Sequence, residues 1–167
     1  GGTSKNIFAM FGDTGLTGVY QSLAMASAVD GVFETNGGIQ TTKAWGVRGA
    51  FNHNWNPNWT TSVFGSYSSV DFGGAGGALY TRGLRNVVGG TFTGTPNFNI
   101  IQVGTRTAWT PVKNLTFTGE VMWTQLDQNY SGTTNGTFAG GTKPGNVRYE
   151  FKDQDTWSGV IRAQRNF

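Results

Sequence analysis

Cysteine is absent from the 167 residues, histidine occurs once, proline four times, and only 13% of positions carry charge. Without cysteine, zinc ribbons, redox dithiols and disulfide scaffolds are excluded. One histidine cannot assemble a Ser/His/Asp constellation with any notable spacing, and no two carboxylates share a recognisable wall, so enzyme chemistry and a metal or organic cofactor find no support. No run of about 18 apolar residues exists, which excludes a transmembrane helix, so any membrane must be crossed by strands. Residues 1–6 lack a basic segment leading into an apolar one; the expectation is that a signal peptide was removed or was never there. The net charge of +3 is dispersed along the chain, which argues against nucleic acid, whose binders gather Lys and Arg on one face.

What is present is aromatic and neutral. Aromatic residues make up 14% of the chain, glycine numbers 27, and mean hydropathy is still −0.31 because Thr, Asn, Ser and Gln fill the other positions. Polar without charge and aromatic without helix formers is a β composition. The stretch Gly73-Gly74-Ala75-Gly76-Gly77 carries no Lys at a phosphate position and is expected to be a loop tip rather than a strand-to-helix phosphate cradle.

Alternation is the strongest signal. From Lys43 to Trp55 the odd positions hold Trp45, Val47, Gly49, Phe51 and Trp55, with His53 the exception, while Arg48, Asn52 and Asn54 occupy the even positions. Ile101 to Trp109, Leu115 to Trp123 and Trp157 to Phe167 alternate in the same way. Asn56-Pro57-Asn58 is expected to close one hairpin and Thr110 to Asn114 a second. Pairing Trp55 with Trp59 sets Phe51 against Val63 and Val47 against Tyr67, so both apolar sets share a face. Phe64 then falls on the polar face without an evident partner.

The expected strands, about 41–55, 59–71, 98–109, 115–129 and 154–167, exceed the usual five or six residues of soluble sheets. Trp45 and Trp55 are ten residues apart on one face, as are Trp157 and Phe167. At roughly 3.3 Å per residue and a tilt near 45°, ten residues climb about 23 Å, the height of the apolar band of an outer-membrane barrel. The fold expected is therefore an all-β, antiparallel transmembrane barrel, with Trp45, Trp55, Trp59, Trp109, Trp123, Trp157 and Phe167 as membrane-interface aromatics. The chain is expected to be one barrel segment: 1–40 mostly external loop, 41–71 a hairpin, 72–97 a long loop, 98–129 a hairpin, 130–153 a long loop and 154–167 the terminal strand. Asn6 to Phe11 is a candidate sixth strand.

The stretches Lys43 to Trp55 (KAWGVRGAFNHNW), Trp55 to Trp59 (WNPNW), Trp109 to Phe117 (WTPVKNLTF) and Ile161 to Phe167 (IRAQRNF) together resemble the C-terminal part of the alphaproteobacterial general porins, over roughly residues 6–167. That resemblance implies a 16-stranded, homotrimeric barrel in the outer membrane of a Gram-negative cell, with its constriction loop in the first half. It also implies that Phe167, as the terminal aromatic, is read by the barrel-assembly machinery. A full family member is about twice as long, so the chain is expected to be a fragment of a longer porin, because five or six strands cannot close a barrel in lipid.

With the odd face toward lipid, the even face lines a lumen and carries Arg48, Arg106, Glu120 and Arg162. Pairing Trp109 with Leu115 would put Glu120 opposite Gly104 and make Arg106 its diagonal neighbour. A basic patch of Arg106 and Arg162 around Glu120 would set a field across a pore. Alternatively Glu120 merely neutralises Arg106, and Arg48 is solvated wall. Arg165 lies on the apolar face one pair from the terminus, where it can snorkel to the interface. Lys152, Asp153 and Asp155 fall at the outer rim, a place for solvated loop ends or for contact with lipopolysaccharide. The expected function is passive diffusion of ions and small hydrophilic solutes. The alternatives are a complete barrel of about eight strands acting as an anchor or adhesin through its loops, and a secreted β-rich binding module.

Overall fold

A computed structural model describes residues 6–34, 37–135 and 144–167. In chain order the elements are β1 (Asn6–Gly12), β2 (Gln21–Ala28), β3 (Gly31–Phe33), β4 (Ile39–Thr41), β5 (Lys43–Asn56), β6 (Trp59–Asp71), α1 (Gly74–Val88), β7 (Thr91–Thr93), β8 (Phe98–Val112), β9 (Leu115–Gln128), β10 (Ser131–Thr134), β11 (Tyr149–Phe151) and β12 (Gln154–Arg165). The five long strands β5, β6, β8, β9 and β12 stand within about three residues of their expected bounds and form one sheet in the order β12-β9-β8-β6-β5. The chain divides into two compact units, the first comprising residues 1–45, 69–99 and 126–154, the second 46–68, 100–125 and 155–167.

The first unit holds most of the spans expected to be loops, and it has a core. Its sheet runs β1-β2-β11-β10-β7. β1 and β2 form an antiparallel pair from Asn6↔Ala28 to Gly12↔Ser22, and β11 joins β2 in parallel, Tyr149 beside Gln21 and Phe151 beside Leu23. Asn6 to Gly12 is thus a strand, but it pairs with β2 and does not extend the sheet of long strands. Residues 22–27 are all buried, so β2 is covered on both faces. Where β11 ends, the Gln128 side chain replaces its backbone: Met25 N donates to Gln128 Oε1 at 2.9 Å and Gln128 Nε2 donates to Leu23 O at 2.8 Å. A buried amide that meets both a strand donor and a strand acceptor avoids the penalty of leaving either unpaired. Leu23, Met25, Val88, Phe92, Tyr130, Tyr149 and Phe151 form the apolar cluster.

The expectation of a loop tip at Gly73 to Gly77 is corrected: these glycines follow β6 and open α1. Three glycines in the first turn give little intrinsic helix propensity, so packing supplies the reason. A Cβ on Gly77 would touch the Pro96 ring at 3.4 Å and one on Gly76 the Gln40 side chain at 3.0 Å. Further along α1, Arg85 donates through Nε and Nη2 to Phe92 O at 3.0 and 2.6 Å. Thr81 shares a hydrogen bond of 3.2 Å with the Tyr130 hydroxyl.

Burial pushes the Tyr130 phenol from 10.0 up to about 12, against the hydrogen bond from Thr81, which favours the phenolate. Since the folded value lies above the unfolded one, the stabilisation is complete below pH 10 and is lost as pH rises toward 12. Denaturation measured at pH 9 and pH 11 is expected to show this unit weakening at the higher pH, with Tyr130→Phe removing part of that loss. An equal loss in the variant would assign it to other groups.

Candidate functional site

The second unit contains the central portions of the long strands, and side-chain contacts fix their register. Thr60 Oγ1 donates to Asn54 Oδ1 at 3.0 Å and Ser62 Oγ to Asn52 Oδ1 at 2.6 Å, so β5 and β6 pair as expected, with Trp55 opposite Trp59. Between β6 and β8, Thr61 meets Thr107 at 3.2 Å and Ser66 donates to Gln102 at 3.2 Å. Between β8 and β9, Thr110 meets Thr116 at 3.0 Å and Gln102 donates to Thr124 at 3.2 Å. Asn166 N donating to Asn114 O at 2.9 Å, with Ser158 Oγ on Met122 O, fixes β12 against β9. Every pairing is antiparallel and links odd residues with odd, so the two faces separate by parity across all five strands.

The β8–β9 register differs from the expected one by two residues. β8 runs on through Pro111 to Val112, and Asn114 at φ 68° takes the left-handed position that ends a three-residue hairpin loop. Trp109 therefore faces Phe117 rather than Leu115, their rings 5.8 Å apart. Arg106 and Glu120 become direct cross-strand partners instead of diagonal ones. Among the described residues no ion pair joins them, and Arg106 is exposed. Arg162, also exposed, is the β12 neighbour of Thr118, one row nearer the turns. Arg48 stands apart, opposite Ser66. The structure thus brings Arg106, Glu120 and Arg162 onto one polar face within two rows and leaves Arg48 at a distance.

Phe64 finds its partner. It opposes Gly104, where an added Cβ would lie 2.6 Å from two of its ring carbons, so the ring covers the glycine. Aromatic cover of a strand glycine is a specific cross-strand contact, invisible until the neighbouring strand is placed in register. On either side of this contact the even face is polar, with the chain Ser66–Gln102–Thr124 above and Asn52–Ser62 and Asn54–Thr60 below.

The odd face is apolar and open. Phe51 is 69% exposed, Trp157 70% and Ile161 93%, far beyond what a soluble surface tolerates in one patch. Trp55, Trp59, Trp109 and Phe117 form a row beside the hairpin turns, Trp59 and Trp109 stacked at 5.6 Å. The Trp55 indole donates to Thr61 at 3.0 Å and the Trp123 indole to Asp155 at 3.0 Å. His53 packs edge-on against Trp55 at 4.4 Å, and among the described residues no group of acidic or histidine side chains could hold a metal. Arg165 lies with its guanidinium carbon 5.4 Å from the Phe167 ring. On β12 the residue level with the Trp55 row is Ala163, and Phe167 lies four residues further along. Four residues at about 3.3 Å across four strand spacings of about 4.8 Å make an angle of roughly 35°. Trp45 and Trp157, each ten residues from its partner on the same strand, repeat that offset.

Long antiparallel strands with one solvent-like face, one exposed apolar face and aromatic rows along it define a membrane protein built from strands. A family model for the porin subfamily matches residues 8–160, and the chain belongs to that family. It is a porin-like protein of the outer membrane, where the family's members are channels and not enzymes. No curated protein and no solved structure matches the chain.

Proposed function

We propose that the long-strand sheet is wall of a water-filled barrel through which ions and small hydrophilic solutes diffuse passively, even face to the lumen and odd face to lipid. The observation that carries this is the parity itself: hydrogen-bonded Asn, Ser, Thr and Gln with Arg48, Arg106, Glu120 and Arg162 on one side, and exposed Phe, Trp, Ile and Val on the other. The aromatic line from Trp55 to Phe167, taken as level with the membrane, tilts the strands by roughly 35°, within the range of outer-membrane barrels. β5 and β12 are the outer strands of the described sheet, and unpaired edges are not tolerated in hydrocarbon. Further strands must therefore close the wall, as in the 16-stranded porins that the sequence resembles. Homotrimer formation, recognition of Phe167 by the assembly machinery and contact of the outer rim with lipopolysaccharide belong to the same reading.

The test is insertion of the intact protein into a planar bilayer, together with its mass under native and denaturing conditions. Stepwise ohmic conductance is expected, with a native mass three times the denatured one. Absence of conductance, with a monomer of 17.9 kDa, would favour the small anchoring barrel instead.

A further inference from the structure

The even face is not uniformly polar. Between the row holding Arg48 and the row holding Arg106 lies an open groove of about 430 Å³, lined by Arg48, Ala50, Phe64, Ser66, Gln102 and Met122, with Gly49 and Gly65 at its floor. Ala50, Phe64 and Met122 supply an apolar shelf, with the Phe64 ring reaching into the space that a side chain at position 104 would fill. The polar side is spoken for in part: Ser66 donates to Gln102, and Gln102 donates to Thr124. The Arg48 side chain is exposed and, among the described residues, has no hydrogen bond or ion pair. Arg48 and Phe64 are diagonal cross-strand neighbours, so their Cβ atoms stand about 7 Å apart.

From this we infer that the groove is a binding subsite on the channel wall for small aromatic carboxylates, the ring on Phe64 and Met122 and the carboxylate on the Arg48 guanidinium. The inference rests on the channel reading for its consequence, since a site on the lumen wall selects among permeating solutes. The occupant follows from complementarity. An apolar shelf alone would take any small hydrocarbon, and an exposed guanidinium alone any anion. Side by side, they favour a molecule that has a flat apolar body and a carboxylate a few ångströms away, because the carboxylate can accept two parallel N–H bonds while the body covers the shelf. Favourable but shallow binding is what a permeating solute needs, since it must also leave.

The experiment uses the intact protein and three probes: 3-phenylpropionate, propionate and phenethylammonium. In bilayers at 0.1 M KCl, 3-phenylpropionate is expected to reduce single-channel current saturably, while propionate lacks the ring and phenethylammonium carries a positive charge in place of the carboxylate, and both leave it nearly unchanged. Arg48→Gln and Phe64→Ala are each expected to weaken the block about tenfold. Both residues lie outside the buried core, and circular dichroism and native mass equal to the parent's would show that each variant still folds. Binding of the same probes by calorimetry on the detergent-solubilised protein gives a second readout. Conductance with no preference for 3-phenylpropionate over propionate overturns the inference and leaves the channel standing. Saturable binding abolished by Arg48→Gln, in a protein that conducts nothing, overturns the channel and supports the subsite.

Discussion

Phe92→Ala is expected to destabilise the first unit by about 3–5 kcal/mol, the cost of deleting a buried aromatic ring. Phe92 is 1% exposed and stands at the centre of the apolar cluster, its ring 5.3 Å from Tyr130, 4.8 Å from Phe151 and 5.4 Å from the Arg85 guanidinium carbon. Truncation removes two ring–ring contacts and a cation–π contact at once and opens a cavity that α1 and β10 cannot both collapse into. Arg85 would keep its carbonyl acceptor on residue 92 but lose the ring beneath it. Amide hydrogen exchange resolves the effect: protection at Leu23, Met25 and Phe151 should fall by orders of magnitude, whereas Val63 and Val103 on the long strands should hardly change. Unaltered exchange at Leu23 would mean that the cluster does not hold the unit together.

Arg106→Glu combined with Arg162→Glu is expected to turn ion preference toward cations, raising the cation-to-anion permeability ratio roughly fiftyfold at 0.1 M KCl. A two-unit change at one site, felt by an ion about 7 Å away in water, amounts to about 1.2 kcal/mol, which screening roughly halves at a Debye length of about 10 Å. Two such sites restore about 1.2 kcal/mol for each ion, opposite in sign for cation and anion, so their ratio shifts by about 2.4 kcal/mol, roughly fiftyfold. Glu120 opposes Arg106 directly, so the variant replaces two facing opposite charges with two facing carboxylates. In 1 M KCl, where the Debye length is about 3 Å, the shift should nearly vanish. A reversal potential unchanged at low salt would remove these side chains from the conducting path.

Much of the long sheet was legible from residues alone. Period-two alternation in strands of more than ten residues survives any register, because every side chain's face is decided by parity. The Trp55–Trp59 pairing was legible too, since the short Asn-Pro-Asn connection leaves little choice. The second hairpin was misread by two residues because five residues with Pro at the second place fit more than one loop. Only the left-handed backbone of Asn114 selects the one that is formed. That slip kept parity intact but turned Arg106 and Glu120 from diagonal neighbours into direct partners.

The first unit was not legible, for a different reason. Its strands β7, β10 and β11 have three, four and three residues, too short for any periodicity, and they pair across separations in sequence that no local pattern reports. α1 begins on glycines that argue against a helix, and it exists because Gly76 and Gly77 allow close approach to Gln40 and Pro96. The same holds for the groove. Phe64 stood out in the sequence as an aromatic on the wrong face, and only the placement of Gly104 beneath it and Arg48 diagonal to it turned an anomaly into a surface. The sequence by itself determined that this protein is made of long two-faced strands with aromatic rims, because alternation and composition are local properties. Tertiary structure alone decided which charges meet, where the segments between strands acquire a core, and what lies between the arginines, because each of these depends on the register of residues distant in the chain.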